Sequence, residues 1–123
     1  MHYNISMWKI EYYEKDSGES PVEKFIDYEL DDKLKKKAIA TIDALKMLGN
    51  RLGEPKSKHL EDGIFELRIQ FSTNHARVLY FFYTGSKIIL TNGFVKKTNK
   101  VPRQEIEKAK IYREDYKRRY EYD

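Results

Sequence analysis

The chain has no cysteine among its 123 residues. That excludes a disulfide scaffold and a thiolate metal site, and it fits a reducing compartment such as the cytoplasm. Proline is scarce at three residues, and tryptophan occurs once. No apolar run approaches the roughly 20 residues needed to span a bilayer, so no membrane partner is expected. The opening MHYNISMWKI lacks a basic segment followed by an apolar one, so no secretory leader is expected. The patterns G-x-G-x-x-G, P-loop, H-E-x-x-H and G-x-S-x-G are all missing, which argues against nucleotide-dependent and zincin chemistry. His2, His59 and His75 are not spaced as a metal triad, and most carboxylates fall on predicted helices. Metal-assisted hydrolysis, which needs clustered acids, is not expected, and neither is a cofactor.

What is present is a folded, ionic chain. Hydrophobic residues make up 40% and aromatics 14%, enough for one modest core. With 36% charged residues and a mean hydropathy of −0.81, the surface is strongly polar. Length predicts a single domain over 1–123. Residues 1–50 carry 8 Lys/Arg and 10 Asp/Glu, and residues 51–123 carry 16 and 10. The basic half suggests a field directed at nucleic acid or at an acidic partner.

The pattern predicts an α+β fold. Trp8–Tyr13 alternates and reads as a short edge strand. Ser20-Pro21-Val22-Glu23 places serine at an N-cap, proline at the first helical position and glutamate at N3. A second helix should start near Asp31 or Asp32, carry Leu34, Ala38, Ile42, Leu45 and Leu48 inward, and end at a left-handed Gly49. These two helices should lie together on one face of a sheet. Residues 50–57 read as loop, with Lys56, Lys58 and His59 leading into a meander. A last helix should begin at Pro102, with Ile106, Ala109, Tyr112 or Arg113, Tyr116 and Tyr120 along one face.

The meander occupies Ile64–Lys100. Phe65, Leu67, Ile69 and Phe71 alternate with Glu66, Arg68 and Gln70. Arg77–Tyr83 is apolar after its first residue, as in a central strand buried on both faces. Lys87–Val95 forms the third run. Ser72-Thr73-Asn74-His75 and Thr84-Gly85-Ser86 are the two connections. Glu66 is the one acid in this stretch, against Arg68, Arg77, Lys87, Lys96, Lys97 and Lys100.

Such a surface suits a polyanion. If RNA supplies its own 2′-hydroxyl as nucleophile, an enzyme needs only to orient the strand and stabilise charge on the phosphorane. Arginine can hold two phosphate oxygens at once, and aromatics can stack splayed bases. Each residue also has a plainer role. Arg68 on the polar face is either solvated or functional. Arg77 either binds phosphate or pairs with Glu66 on the neighbouring strand. Lys96–Lys97 is a weak signal taken alone, since lysine pairs at strand ends usually serve solubility. His59 and His75 are either exposed loop residues or acid–base groups. Tyr112 and Tyr116 fit the core better than catalysis.

The set His59-Leu60-Glu61-Asp62-Gly63-Ile64-Phe65-Glu66-Leu67-Arg68, Ala76-Arg77-Val78-Leu79-Tyr80-Phe81 and Asn92-Gly93-Phe94-Val95-Lys96-Lys97-Thr98-Asn99-Lys100-Val101-Pro102, followed by Glu105-Ile106-Glu107-Lys108-Ala109, resembles the HigB-type toxins of the RelE/ParE superfamily. The resemblance runs from about Trp8 to Tyr116. It implies two N-terminal helices on a small antiparallel sheet, then a C-terminal helix. It implies the toxin of a type II toxin–antitoxin pair: a ribosome-dependent, metal-independent mRNA endoribonuclease. The implied partners are a helix-turn-helix antitoxin, the ribosome and mRNA, and operator DNA through the antitoxin complex. Arg68, Arg77 and Lys96 or Lys97 would hold the scissile phosphate. Phe94 or Tyr80 would meet a base, and Lys58, His59 and Lys100 would bind substrate. Another branch of the superfamily inhibits DNA gyrase without cutting RNA, and a plain RNA-binding module is the third reading.

Overall fold

The computed structural model describes residues 8–121. A five-stranded sheet, ordered β1-β5-β4-β3-β2, is the centre of the α+β fold. The strands are β1 (Lys9–Tyr12), β2 (Ser57–Glu61), β3 (Ile64–Phe71), β4 (Asn74–Tyr83) and β5 (Lys87–Val95). β2 to β5 run antiparallel to their neighbours, whereas β1 joins the edge parallel to β5, with Lys9 opposite Lys87. Helices α1 (Pro21–Glu29) and α2 (Asp32–Leu48) cover one face, and α3 (Arg103–Glu121) covers part of the other.

The helix ends follow their local chemistry. Ser20 Oγ accepts from the Glu23 amide at 3.2 Å, and Pro21 opens α1. Asp31 is the cap of α2, its Oδ1 accepting from the Leu34 amide at 2.9 Å. These bonds satisfy amides that the first turn leaves without partners. Gly49 does close α2, but at φ +54 and ψ −124, outside the left-handed helical well. The reason is steric as well as conformational. A Cβ there would lie 1.9 Å from Trp8 Nε1, so the indole ring occupies the space a side chain needs.

Alternation along the central strands builds two cores. Leu67 and Ile69 of β3, Val78 and Tyr80 of β4, and Ile88 and Leu90 of β5 meet Val22, Phe25, Ile42 and Leu45 from α1 and α2. Ile64, Leu79, Phe81 and Ile89 point the other way and meet Ala109 and Tyr116 of α3. β4 is thus buried on both faces, as its apolar run predicts. Where α1 crosses β5, the chain has Gly93, and a Cβ there would stand 2.4 Å from Cδ2 of the buried Phe25 ring. Gly93→Ala should therefore destabilise the fold by about 1–3 kcal/mol, through overpacking. Urea titration measures this, and Phe25→Leu in the same chain should recover part of the loss.

Two connections differ from the sequence reading. Residues 57–61 form a strand rather than a lead-in loop. SKHLE has one large apolar residue, so pairing with β3, not pattern, makes it extended. Asp62 and Gly63, at φ +50 and +75, turn the chain tightly between β2 and β3. The Asp-Gly pair is the signal for such a hairpin. The β3–β4 connection is shorter than expected: Asn74 pairs with Phe71 and His75 with Gln70, leaving only Ser72-Thr73 as the turn.

The last helix starts at Arg103, one residue after Pro102, whose carbonyl accepts from the Glu105 amide at 3.0 Å. Asn92 Nδ2, buried on β5, donates to the Glu105 carbonyl at 3.2 Å and to Glu105 Oε1 at 3.0 Å. Farther along, Tyr116 donates to Glu11 at 2.8 Å and Tyr13 donates to Asp115 at 2.6 Å. No helix among the described residues is long and apolar enough to cross a membrane.

Candidate nucleic-acid interface

Side-chain alternation and strand register place the basic residues in rows across the α3 face. Glu66 of β3, Leu79 of β4 and Asn92 of β5 form the first row. Arg68, Arg77 and Phe94 form the next, in the same strand order. Gln70 and His75 begin a third, which Lys96 completes: its amide donates to the His75 carbonyl at 2.9 Å. Lys58 of β2 stands opposite Glu66. Successive rows lie about 7 Å apart, two residues along each strand. Arg68, Gln70, His75 and Lys96 are all at least partly open to solvent.

Glu66 organises this group from below. Only 2% exposed, it accepts from Arg68 Nε at 2.9 Å and from Arg77 Nε at 3.1 Å, one arginine per carboxylate oxygen. Arg77 is itself 6% exposed and also donates through Nη1 to the Ala76 carbonyl at 3.0 Å. The plainer role foreseen for Arg77, an ion pair with Glu66, is therefore present. It does not remove the positive charge, because one carboxylate is shared between two guanidinium groups and Lys96 stands nearby. A carboxylate so shared holds both forks in fixed directions. Arg68 reaches furthest outward, with weaker contacts from Nη1 to the Pro55 carbonyl at 3.4 Å and Glu54 at 3.5 Å.

The electrostatics record this crowding. Burial, then the Arg77 charge, hold the Lys96 ammonium below its ordinary value, with Glu66 opposing and Arg68 and Lys58 adding to the effect. Burial also pushes Arg77 down; Glu66 draws it back up and Arg68 lowers it again. Beside the group lies a cleft of about 470 Å³ lined by Lys37 and Thr41 of α2, Pro55, Lys56, Arg68, Gln70, Ser72 and Arg77. Lys37 and Lys56 extend the positive lining beyond the residues singled out in sequence. Neither belongs to a recognisable pattern; only the fold brings them near Arg68.

The other expected site residues are dispersed. Lys97 and Lys100 are exposed beyond β5, in the basic turn that precedes α3. His59 pairs with Phe65 and so points to the α1–α2 face, where it packs edge-on against that ring, and its Nε2 accepts from the Gly63 amide at 3.1 Å. Tyr80 is on the same far face, 1% exposed, with its hydroxyl bonded to Ser57. It is a core residue, and the expectation that it meets a base gives way. Phe94 is on the right face but 9% exposed, packed into the α3-side core, so it offers a base little surface. Burial likewise settles Tyr116, whose hydroxyl is given to Glu11, while Tyr112 stacks on Tyr13 at 4.6 Å. His2 lies outside the described residues.

No curated protein matches the chain. Residues 27–114, well over half its length, match the family described as phage-derived protein Gp49-like (DUF891). The matched span runs from late in α1 into α3 and contains both arginines, Glu66, Lys96 and strands β2 to β5 that align them. By that extent the chain belongs to the Gp49-like family, toxins of the toxin–antitoxin type related to the RelE/HigB-like toxins.

Proposed function

We propose that this toxin is of the HigB type and cuts mRNA on the ribosome, without a metal, by attack of the RNA's own 2′-hydroxyl. Membership of the family implies a cognate antitoxin as partner. One observation supports the nuclease reading above others. Arg68, Arg77 and Lys96 converge on a face left open by α3, around a single buried carboxylate. A scissile phosphate docked there gains its negative charge in the transition state, and prepositioned cations stabilise that charge without reorganising. Arg68 and Lys96 are the groups that reach the phosphate. Arg77 supplies field from the floor, and Lys58, Lys97 and Lys100 guide the flanking backbone. The antitoxin, a helix-turn-helix protein that also carries the complex to operator DNA, would act by keeping RNA from this face.

Expression in a bacterial host tests the reading directly. Translation should stop within minutes, and mapping of 5′ ends should reveal new cuts inside translated messages, absent when initiation is blocked. Intact mRNA with arrested replication and induction of the SOS response would instead identify a gyrase inhibitor. Intact mRNA with toxin bound to it would leave only an RNA-binding module.

A further inference from the structure

The open rows contain one imidazole. His75 is on β4 two residues before Arg77, so the two side chains share the α3 face. Gln70 pairs with it from β3, and Lys96 lies beside it at the end of β5. Directly opposed residues on antiparallel strands have Cβ atoms about 4.5–5.5 Å apart, so an imidazole and a lysine there can reach neighbouring atoms of one bound group. The charged groups in the rows of this face are Arg77 on the same strand as His75, Arg68 and Glu66 on β3, Lys96 after β5, and Lys58 on β2 opposite Glu66.

We propose that His75 takes the proton from the attacking 2′-hydroxyl, and that Lys96, opposite it, gives a proton to the departing 5′-oxygen. The inference rests on the nuclease reading above and assigns the proton transfers within it. The balance is complete with the residues present. The O2′–H bond breaks as the imidazole gains the proton, O2′ bonds to phosphorus, and the P–O5′ bond breaks. The 5′-oxygen then takes the lysine proton, leaving a 2′,3′-cyclic phosphate upstream and a 5′-hydroxyl downstream. No oxidant, metal or cofactor enters.

Four features favour this assignment. An imidazole is the side chain whose ordinary titration makes it a base near neutrality. His59, the other histidine among the described residues, is on the opposite face with Nε2 already accepting from Gly63. Tyr116, the tyrosine that α3 turns inward, is buried and pinned to Glu11, with its hydroxyl titration pushed far up by burial and that carboxylate. Lys96 suits the acid role because burial and Arg77 make its proton easier to give up.

The test uses the full chain and purified ribosomes carrying a defined mRNA, under single-turnover conditions across a range of pH. His75→Gln should cut about 100-fold more slowly, as expected for loss of a general base. It should also lose the limb of the profile in which rate rises with pH, while thermal unfolding and ribosome binding stay as in wild type. Imidazole added to His75→Ala should restore part of the rate, a result that a merely structural role would not produce. Cutting by His75→Gln at the wild-type rate with that limb intact overturns the assignment. A wild-type protein that cuts no mRNA overturns instead the nuclease reading beneath it.

Discussion

Arg68→Ala should abolish growth arrest and slow mRNA cutting by about 10²–10³-fold, the loss typical of removing one prepositioned transition-state donor. The residue is fixed from behind by Glu66 Oε2 at 2.9 Å, so its guanidinium is aimed before substrate arrives. Its outward contacts, to Pro55 and Glu54, are long and easily exchanged for phosphate oxygens. Truncation should leave the fold nearly intact. Glu66 keeps its bond to Arg77 when Arg68 is gone, so no buried charge loses its last partner. Stability should change by no more than about 1 kcal/mol, the usual scale for a partly exposed ion pair. Cleavage mapped on ribosome-bound mRNA and urea unfolding of the same variant give both halves of the comparison. Undiminished cutting by Arg68→Ala would remove this face from the mechanism.

Glu66→Ala should behave in the opposite way and fail as a folded protein. This substitution leaves Arg77 buried and without its carboxylate, facing Arg68 across the strand pair. Removing one partner of a buried pair costs about 3–5 kcal/mol, because the remaining charge stays desolvated. Against a total stability of about 5–15 kcal/mol, that is enough to empty the native state at growth temperature in a marginal domain. Replacing both partners, as in Glu66→Leu with Arg77→Met, should recover much of the loss, since an apolar pair of similar volume is commonly neutral or better. A urea-denaturation cycle through wild type, Glu66→Leu, Arg77→Met and the double variant measures the coupling. A loss under about 1 kcal/mol in Glu66→Ala would mean that water, not protein, solvates Arg77.

The contrast between those variants explains what was legible in the sequence. Alternation from Phe65 to Phe71 placed Glu66 and Arg68 together on the polar side of β3, and the apolar run after Arg77 marked β4 as central. Those patterns arise from burial, and burial leaves a period in the chain. The helix caps at Ser20 and Asp31 are likewise written locally, in side chains that bond amides three residues away. β2 left no such period. Its backbone pairs with β3 alone at the sheet edge, and its side chains run from buried Ser57 to exposed Lys58 and His59 without alternation, so only the Asp62-Gly63 turn betrayed it. Which face a residue takes depends on register, and register is long-range. The resemblance points to Tyr80 and His59 as substrate contacts; one step of pairing sends both to the far side. His75 reads from sequence as an exposed loop residue or an acid–base group, and only the pairing of Asn74 and His75 with β3 puts it in β4 and gives its side chain a face.

The cations around the proposed phosphate position are held by unlike means. Arg68 is steered by a carboxylate inside the protein, where dissolved ions scarcely penetrate. Lys58, Lys97 and Lys100 stand in open solvent, where added salt competes directly with a polyanion. If this protein cuts RNA as proposed, ionic strength should separate grip from geometry: a concentrated electrolyte loosens the hold of the exposed lysines on a polyanion while Arg68 keeps its aim.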